Sequence, residues 1–178
     1  MTNTRGVAEL LYDLGPKARN EIAIYTDLTA DGRFLYLSLT NANHIAALDI
    51  SDFDNVKRLD NPDEDQPTVS LPTLCDRGHL FYWEAYADSS FQIGPHYLKV
   101  TPDQKHLVAT DYFVQTGDIG IVNSPADFKA LYIDILPNGA LKFGRSIDFQ
   151  REFANRGGAK PHSSVVFDLT DPAKPIYY

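Results

Sequence analysis

An all-β fold of antiparallel four-stranded units is predicted by three observations: strand-like runs in residues 21–50, a second copy of that pattern 72 residues later (Thr29 to Thr101), and a Pro-His pair that recurs at Pro161-His162. The first unit reads as strands at residues 22–27, 34–39 and 44–50, where β-branched and aromatic residues alternate with polar ones. Ala30-Asp31-Gly32 separates the first two, its glycine free to take a positive φ, and the polar Asn41-Ala42-Asn43 separates the next two. Such a run is an antiparallel meander.

In the second unit, strands at residues 97–100 and 106–112 flank Thr101-Pro102-Asp103-Gln104, which aligns with Thr29-Ala30-Asp31-Gly32. Residues 129–135, the turn Pro137-Asn138-Gly139 and residues 141–148 complete four strands. Pro161-His162 then repeats Pro95-His96 at a spacing of 66 residues (His96 to His162) and reads as a third start. Four-stranded units that recur with the same opening turn are the signature of β-propeller blades. The expectation is one domain over residues 1–178, a partial β-propeller of two to three blades or a fragment of a longer propeller, with a small β-sandwich as the alternative.

The repeat is longer than the roughly 40 to 50 residues of a compact blade, so long insertions are required. Residues 61–92 and 115–127, rich in Pro, Asp and Gly, read as inserted loops. Residues 1–20 read as an N-terminal arm, helical over 6–14 because Val7, Leu10, Leu11 and Leu14 share a face that Gly15-Pro16 ends. A closed propeller takes about four to eight blades, so copies of the chain associating through their edges are an expected partner arrangement.

Composition narrows the function classes. The chain has 178 residues, 43% hydrophobic, and a net charge of −8 with no basic stripe, which argues against nucleic acid and anionic membrane partners. No apolar run reaches the roughly 18 residues of a spanning helix, and residues 1–15 lack a signal-peptide core, so a cytoplasmic or otherwise soluble protein is expected. The single cysteine, Cys75, reads as a small buried apolar residue.

The run TADGRFLYLSLTNANHIAALDISDFDNVKRL, then GPHYLKVTPDQKHLVATDYF and KALYIDILPNGALKFGRSIDFQREFANRGGAKPH, resembles the later blades of the selenium-binding protein family, which includes bacterial methanethiol oxidases. The resemblance covers residues 21–162; the family's N-terminal cysteine motif has no counterpart in this sequence. It implies a propeller and, for the oxidase branch, oxidation of methanethiol by oxygen to formaldehyde, hydrogen sulfide and hydrogen peroxide at histidine-bound copper.

The residues themselves single out His96 and His162 as candidate metal ligands. Each follows a proline at the start of an inner strand, and repeated units bring such starts toward one axis. Imidazole suits copper, iron or zinc, and a two-histidine site needs a third ligand and an open position. His79, Tyr82 and Glu84 are loop candidates for that ligand, and Trp83 with Phe81, Tyr82 and Tyr86 forms an aromatic cluster that could wall a pocket for a small thiol. The position in the first unit that aligns with His96 is Ile24, which supplies no ligand, and His44 and His106 are expected to face outward.

Two further readings stay open. One is a non-catalytic propeller module for binding or assembly. The other is a metal-dependent propeller lactonase or hydrolase, for which Glu21 and Asp111 are loosely placed. Phosphate cradles and Gly-x-Ser-x-Gly elbows do not occur in the sequence.

Overall fold

The computed structural model describes residues 10–14, 23–40, 44–60, 95–111, 114–117, 120–123, 129–159 and 161–178. Over these residues the chain is all-β apart from single helical turns. The first sheet is a meander of β1 (Ala23–Leu28), β2 (Phe34–Leu39), β3 (His44–Asp49) and β4 (Lys57–Arg58), in that order. Next come β5 (Tyr97–Val100), β6 (His106–Thr110), the hairpin strands β7 (Val114–Gly117) and β8 (Gly120–Asn123), then β9 (Lys129–Ile135) and β10 (Leu141–Asp148). The second sheet has the order β10-β9-β6-β5, while β7 and β8 pair only with each other. A helical turn α1 (Phe149–Glu152), capped by the Asp148 carboxylate, leads to the hairpin β11 (Phe167–Asp168) and β12 (Ile176–Tyr177).

The 72-residue repeat is written in hydrogen bonds. Thr29 Oγ1 donates to Asp31 Oδ1 and Thr101 Oγ1 to Asp103 Oδ1, each at 2.6 Å. The same carboxylates accept the Arg33 and Lys105 N–H groups, and the same hydroxyls accept the Phe34 and His106 N–H groups. Gly32 takes the positive φ of the first turn at 70°, but the second turn asks it of Gln104, at 61°. A side chain in that region is disfavoured by about 1–2 kcal/mol. Here the amide offsets it, with Nε2 donating to the Thr101 carbonyl at 3.0 Å and Oε1 accepting the Ala30 N–H at 2.6 Å across to the first turn.

Period-two alternation sends Phe34 and Tyr36 of β2, Ile45 and Ala47 of β3, Leu98 and Val100 of β5, Leu107 and Ala109 of β6, and Leu131 and Ile133 of β9 into one core shared by both sheets. Tyr36, wholly buried, satisfies its hydroxyl by donating to the Gly139 carbonyl at 3.1 Å. Burial pushes that phenol well above its ordinary value of 10.0, so it stays protonated and donating. The opposite face of the first sheet packs Leu39 and Ala46 with Leu37 and Leu14.

Four expectations are corrected. Residues 10–14 of the arm are not helical; Leu14 packs on the first sheet while Leu10 and Leu11 stay exposed, so tertiary contact overrides a short amphipathic pattern. The insertion 115–127 is not simply a loop, because β7 and β8 pair from Val114–Asn123 to Gly117–Gly120 around two intervening residues. His44 does not face outward: it is 4% exposed, held by the Asp60 carboxylate. The segment after Pro161-His162 does not open with an inner strand; residues 161–166 are irregular and the following hairpin has the register of β3 and β4. The insertion 61–92 lies outside the described residues. Among those described, no helix is long and apolar enough to cross a membrane.

Candidate functional site

The structure brings His96 and His162 together, with ring centroids 4.9 Å apart and planes inclined by 33°. His96 sits immediately before β5, and its N–H donates to the Thr110 carbonyl at 2.8 Å. A repeated hydroxyl holds each histidine backbone. Ser38 Oγ on β2 donates to the His96 carbonyl at 2.9 Å, and Thr110 Oγ1, at the position of Ser38 in the second unit, donates to the His162 carbonyl at 3.0 Å. Thr40 Oγ1 adds a bond to the Pro95 carbonyl at 2.8 Å. Thus the second strand of each unit anchors the Pro-His segment that follows it.

Thr110 is wholly enclosed while His162 is exposed, so removing the hydroxyl deletes one part-buried hydrogen bond to the His162 carbonyl. Thr110→Val is expected to lower the unfolding free energy by about 1 kcal/mol in urea titration and to shift the His162 ring resonances. A neutral result in both would show that the latch does not set the histidine.

Tyr25 completes the cluster, its ring 5.1 Å from that of His96 and 5.0 Å from that of Tyr97. A bulge in β1 accounts for its place. Ala23 pairs with Leu39 and Thr26 with Leu37, so Ile24 and Tyr25 together stand opposite Ser38. The extra residue lets Tyr25 reach the histidines where simple alignment puts Ile24. Its N–H donates to Ser38 Oγ at 2.9 Å, which ties it to the same hydroxyl that anchors His96.

Burial is the main cause that lowers the His96 pKa below its ordinary 6.5, and the neighbouring His162 ring lowers it further; a hydrogen bond to the His162 backbone opposes both. The half-buried imidazole therefore favours its neutral form at pH 7, the form that ligates metals.

Does this set suit the copper that the resemblance implies? Imidazole is a copper ligand, and two rings with centroids 4.9 Å apart are near enough to share one ion. Chemistry and spacing suit a two-histidine half-site. Among the described residues no group of three or more His, Cys, Asp or Glu gathers, so a further ligand has to come from elsewhere. His79, Tyr82, Trp83 and Glu84, like Cys75 and Glu21, lie outside the described residues. Asp111 is buried beside β6, its N–H donating to the Lys129 carbonyl.

At the opposite end of β5 a cavity of about 640 Å³ opens between the two repeated turns, lined by Asp31, Phe34, Gln104, Lys105, His106 and Leu136 among others. Neither His96 nor His162 lines it. His106 stacks on Tyr132 at 4.5 Å and lies 3.4 Å from Asp103 and 3.7 Å from Asp134.

Sequence reasoning missed Tyr25, Ser38 and Thr110. The pairing of Ser38 with Thr110 could have been found, since the 72-residue offset that aligns the two turns also aligns these two hydroxyls near the ends of the second strands. The bulge carries no such signal. Comparison with family models, curated proteins and solved structures gives no match.

Proposed function

We propose that the two sheets are successive blades of a propeller of the selenium-binding protein type, and that His96 and His162 hold a copper ion used to oxidise a small thiol. The single observation that carries this reading is the convergence of two repeated Pro-His imidazoles at 4.9 Å, one of them kept neutral by burial. When bound, copper would take up thiolate sulfur and relay electrons to dioxygen. The chain's own residues do the rest. Ser38 and Thr110 hold the two histidine backbones, and the Tyr25 and Tyr97 rings offer an aromatic wall to a methyl-sized substituent. For methanethiol the balance is one thiol, one dioxygen and one water giving formaldehyde, hydrogen sulfide and hydrogen peroxide.

Elemental analysis of the full chain after exposure to copper, zinc and iron tests the site. Near-stoichiometric copper is expected in the parent, with loss in the His96→Ala, His162→Ala double variant and loss of methanethiol-dependent peroxide release. Equal metal in both proteins, or none in either, would sink the proposal.

The pH dependence has a definite sign. With its folded pKa lowered from the ordinary 6.5, His96 takes up its proton at a lower pH than a free imidazole does. Copper occupancy is therefore expected to be retained at neutral pH and to fall as the solution is acidified, because an imidazolium has no lone pair to give. A loss that begins above pH 7 would contradict the assignment.

A further inference from the structure

The C-terminal hairpin repeats the outer half of the first sheet in register. At an offset of 119 residues (Asp49 to Asp168), the pairs Leu48–Arg58 and Asp49–Lys57 return as Phe167–Tyr177 and Asp168–Ile176. The bond from Leu59 N–H to the Ala47 carbonyl, 2.8 Å, returns from Tyr178 N–H to Val166 at 3.0 Å. That from Asn55 N–H to Asp52, 3.0 Å, returns from Lys174 N–H to Asp171 at 2.9 Å. Ser51 and Thr170 each donate to the aspartate two residues earlier at 2.6 Å.

What differs is the neighbour on the inner edge. β3 is paired there by β2, Leu48 opposite Leu35 and Asp49 opposite Phe34, and Ala46, Ala47 and Leu48 are at most 5% exposed. Of their counterparts, Val165 and Phe167 are 56% and 55% exposed and Val166 is half-buried, and among the described residues β11 pairs with β12 alone. In the first unit a basic side chain just before the second strand also meets the aspartate of the third, Arg33 lying 3.1 Å from Asp49; in the second unit the aspartate is met instead by His106, which aligns with Phe34, at 3.7 Å from Asp134. Asp168 is the corresponding carboxylate in the hairpin.

We propose that β11 is a docking edge for one kind of partner: a polypeptide segment forming a β1–β2-type hairpin. Its second strand pairs with residues 165–168, covers Val165 and Phe167, and sets a basic residue against Asp168. The backbone groups of that edge, without a strand partner among the described residues, supply the hydrogen bonds, and the exposed apolar side chains supply the burial. The register says which strand type belongs there, because the same turn and the same pairs already receive β2 once in this chain.

A synthetic, fluorescein-labelled peptide of residues 23–40 carries both strands and Arg33, and serves as the probe on the full chain. Saturable one-to-one binding is expected, weakened roughly tenfold or more by Val165→Asp or Phe167→Asp in the chain. Asp168→Arg should weaken it likewise, and a peptide carrying Arg33→Glu should restore binding to that variant. Absence of binding up to millimolar peptide, or binding that none of the three chain variants alters, overturns the proposal. So does a concentration-dependent dimer that Phe167→Asp abolishes and the peptide does not compete with, since a second copy would then hold the edge.

Discussion

Asp60→Ala is expected to lower the unfolding free energy by about 3–5 kcal/mol, because it strips the counter-charge from a buried cluster. The Asp60 side chain is wholly enclosed and its oxygens are fully used. His44 Nε2 lies 2.6 Å from Oδ2, Arg58 Nη2 2.8 Å from the same oxygen, and the Ala47 N–H donates to Oδ1 at 2.9 Å. Burial alone would raise the carboxyl pKa, but the bonds from His44, Arg58 and Ala47 outweigh it and hold the group at about 2. Without the carboxylate, the Arg58 guanidinium, 13% exposed, is left poorly compensated where β4 meets β3.

The acid limb follows with its sign. A folded pKa of about 2 against an ordinary 3.8 means that this contribution is whole above pH 3.8 and is lost as the pH falls toward 2. Urea titrations at pH 7 and across pH 4 to 2 check both parts. A loss under about 1 kcal/mol at pH 7 would mean that the cluster is no more than a surface ion pair. So would an acid limb identical in parent and variant.

Gly139→Ala is expected to cost about 2–5 kcal/mol for two reasons that add. Gly139 ends the β9–β10 turn at φ 82°, where a side chain is strained by about 1–2 kcal/mol. A Cβ there would also overlap the ring of Phe34, itself only 7% exposed, so the core has to shift, at about 1–3 kcal/mol for overpacking. For a chain of this size each kcal/mol lowers Tm by about 2–4 °C, so calorimetry should read a drop of roughly 5–20 °C. Gly32→Ala is the control. It has a similar φ of 70° but nothing within 4 Å of the new methyl, so only the backbone part should appear. Equal losses in the two variants would remove the packing half of the argument.

Both effects arise where distant segments meet, and that divides what was legible in the sequence from what was not. Seven of the eight strands of the two units were legible because alternation and turn chemistry are local; the two-residue β4 is too short to show either. Thr29 and Thr101, with the aspartates two residues on, build the same turn wherever they occur. The recurrence of Pro-His was legible too, and it marked the two residues whose rings meet. His44 was misread because the carboxylate that makes its burial possible, Asp60, is reached only after β4 has turned back. The arm and the 115–127 insertion were misread because short patterns suit more than one conformation until a neighbour selects one.

From the sequence by itself came the all-β class, the 72-residue repeat and the pairing of His96 with His162 as one question. These rest on periodicity and on turn residues, whose physics is complete within a few positions. Only the tertiary structure decided that Tyr25 rather than Ile24 stands at His96, since a one-residue bulge changes no local preference but turns a side chain toward another part of the sheet. It alone also decided that the last hairpin follows β3 and β4. Register is set by which strand lies alongside, and a two-stranded piece shows its register only once its pairs are formed.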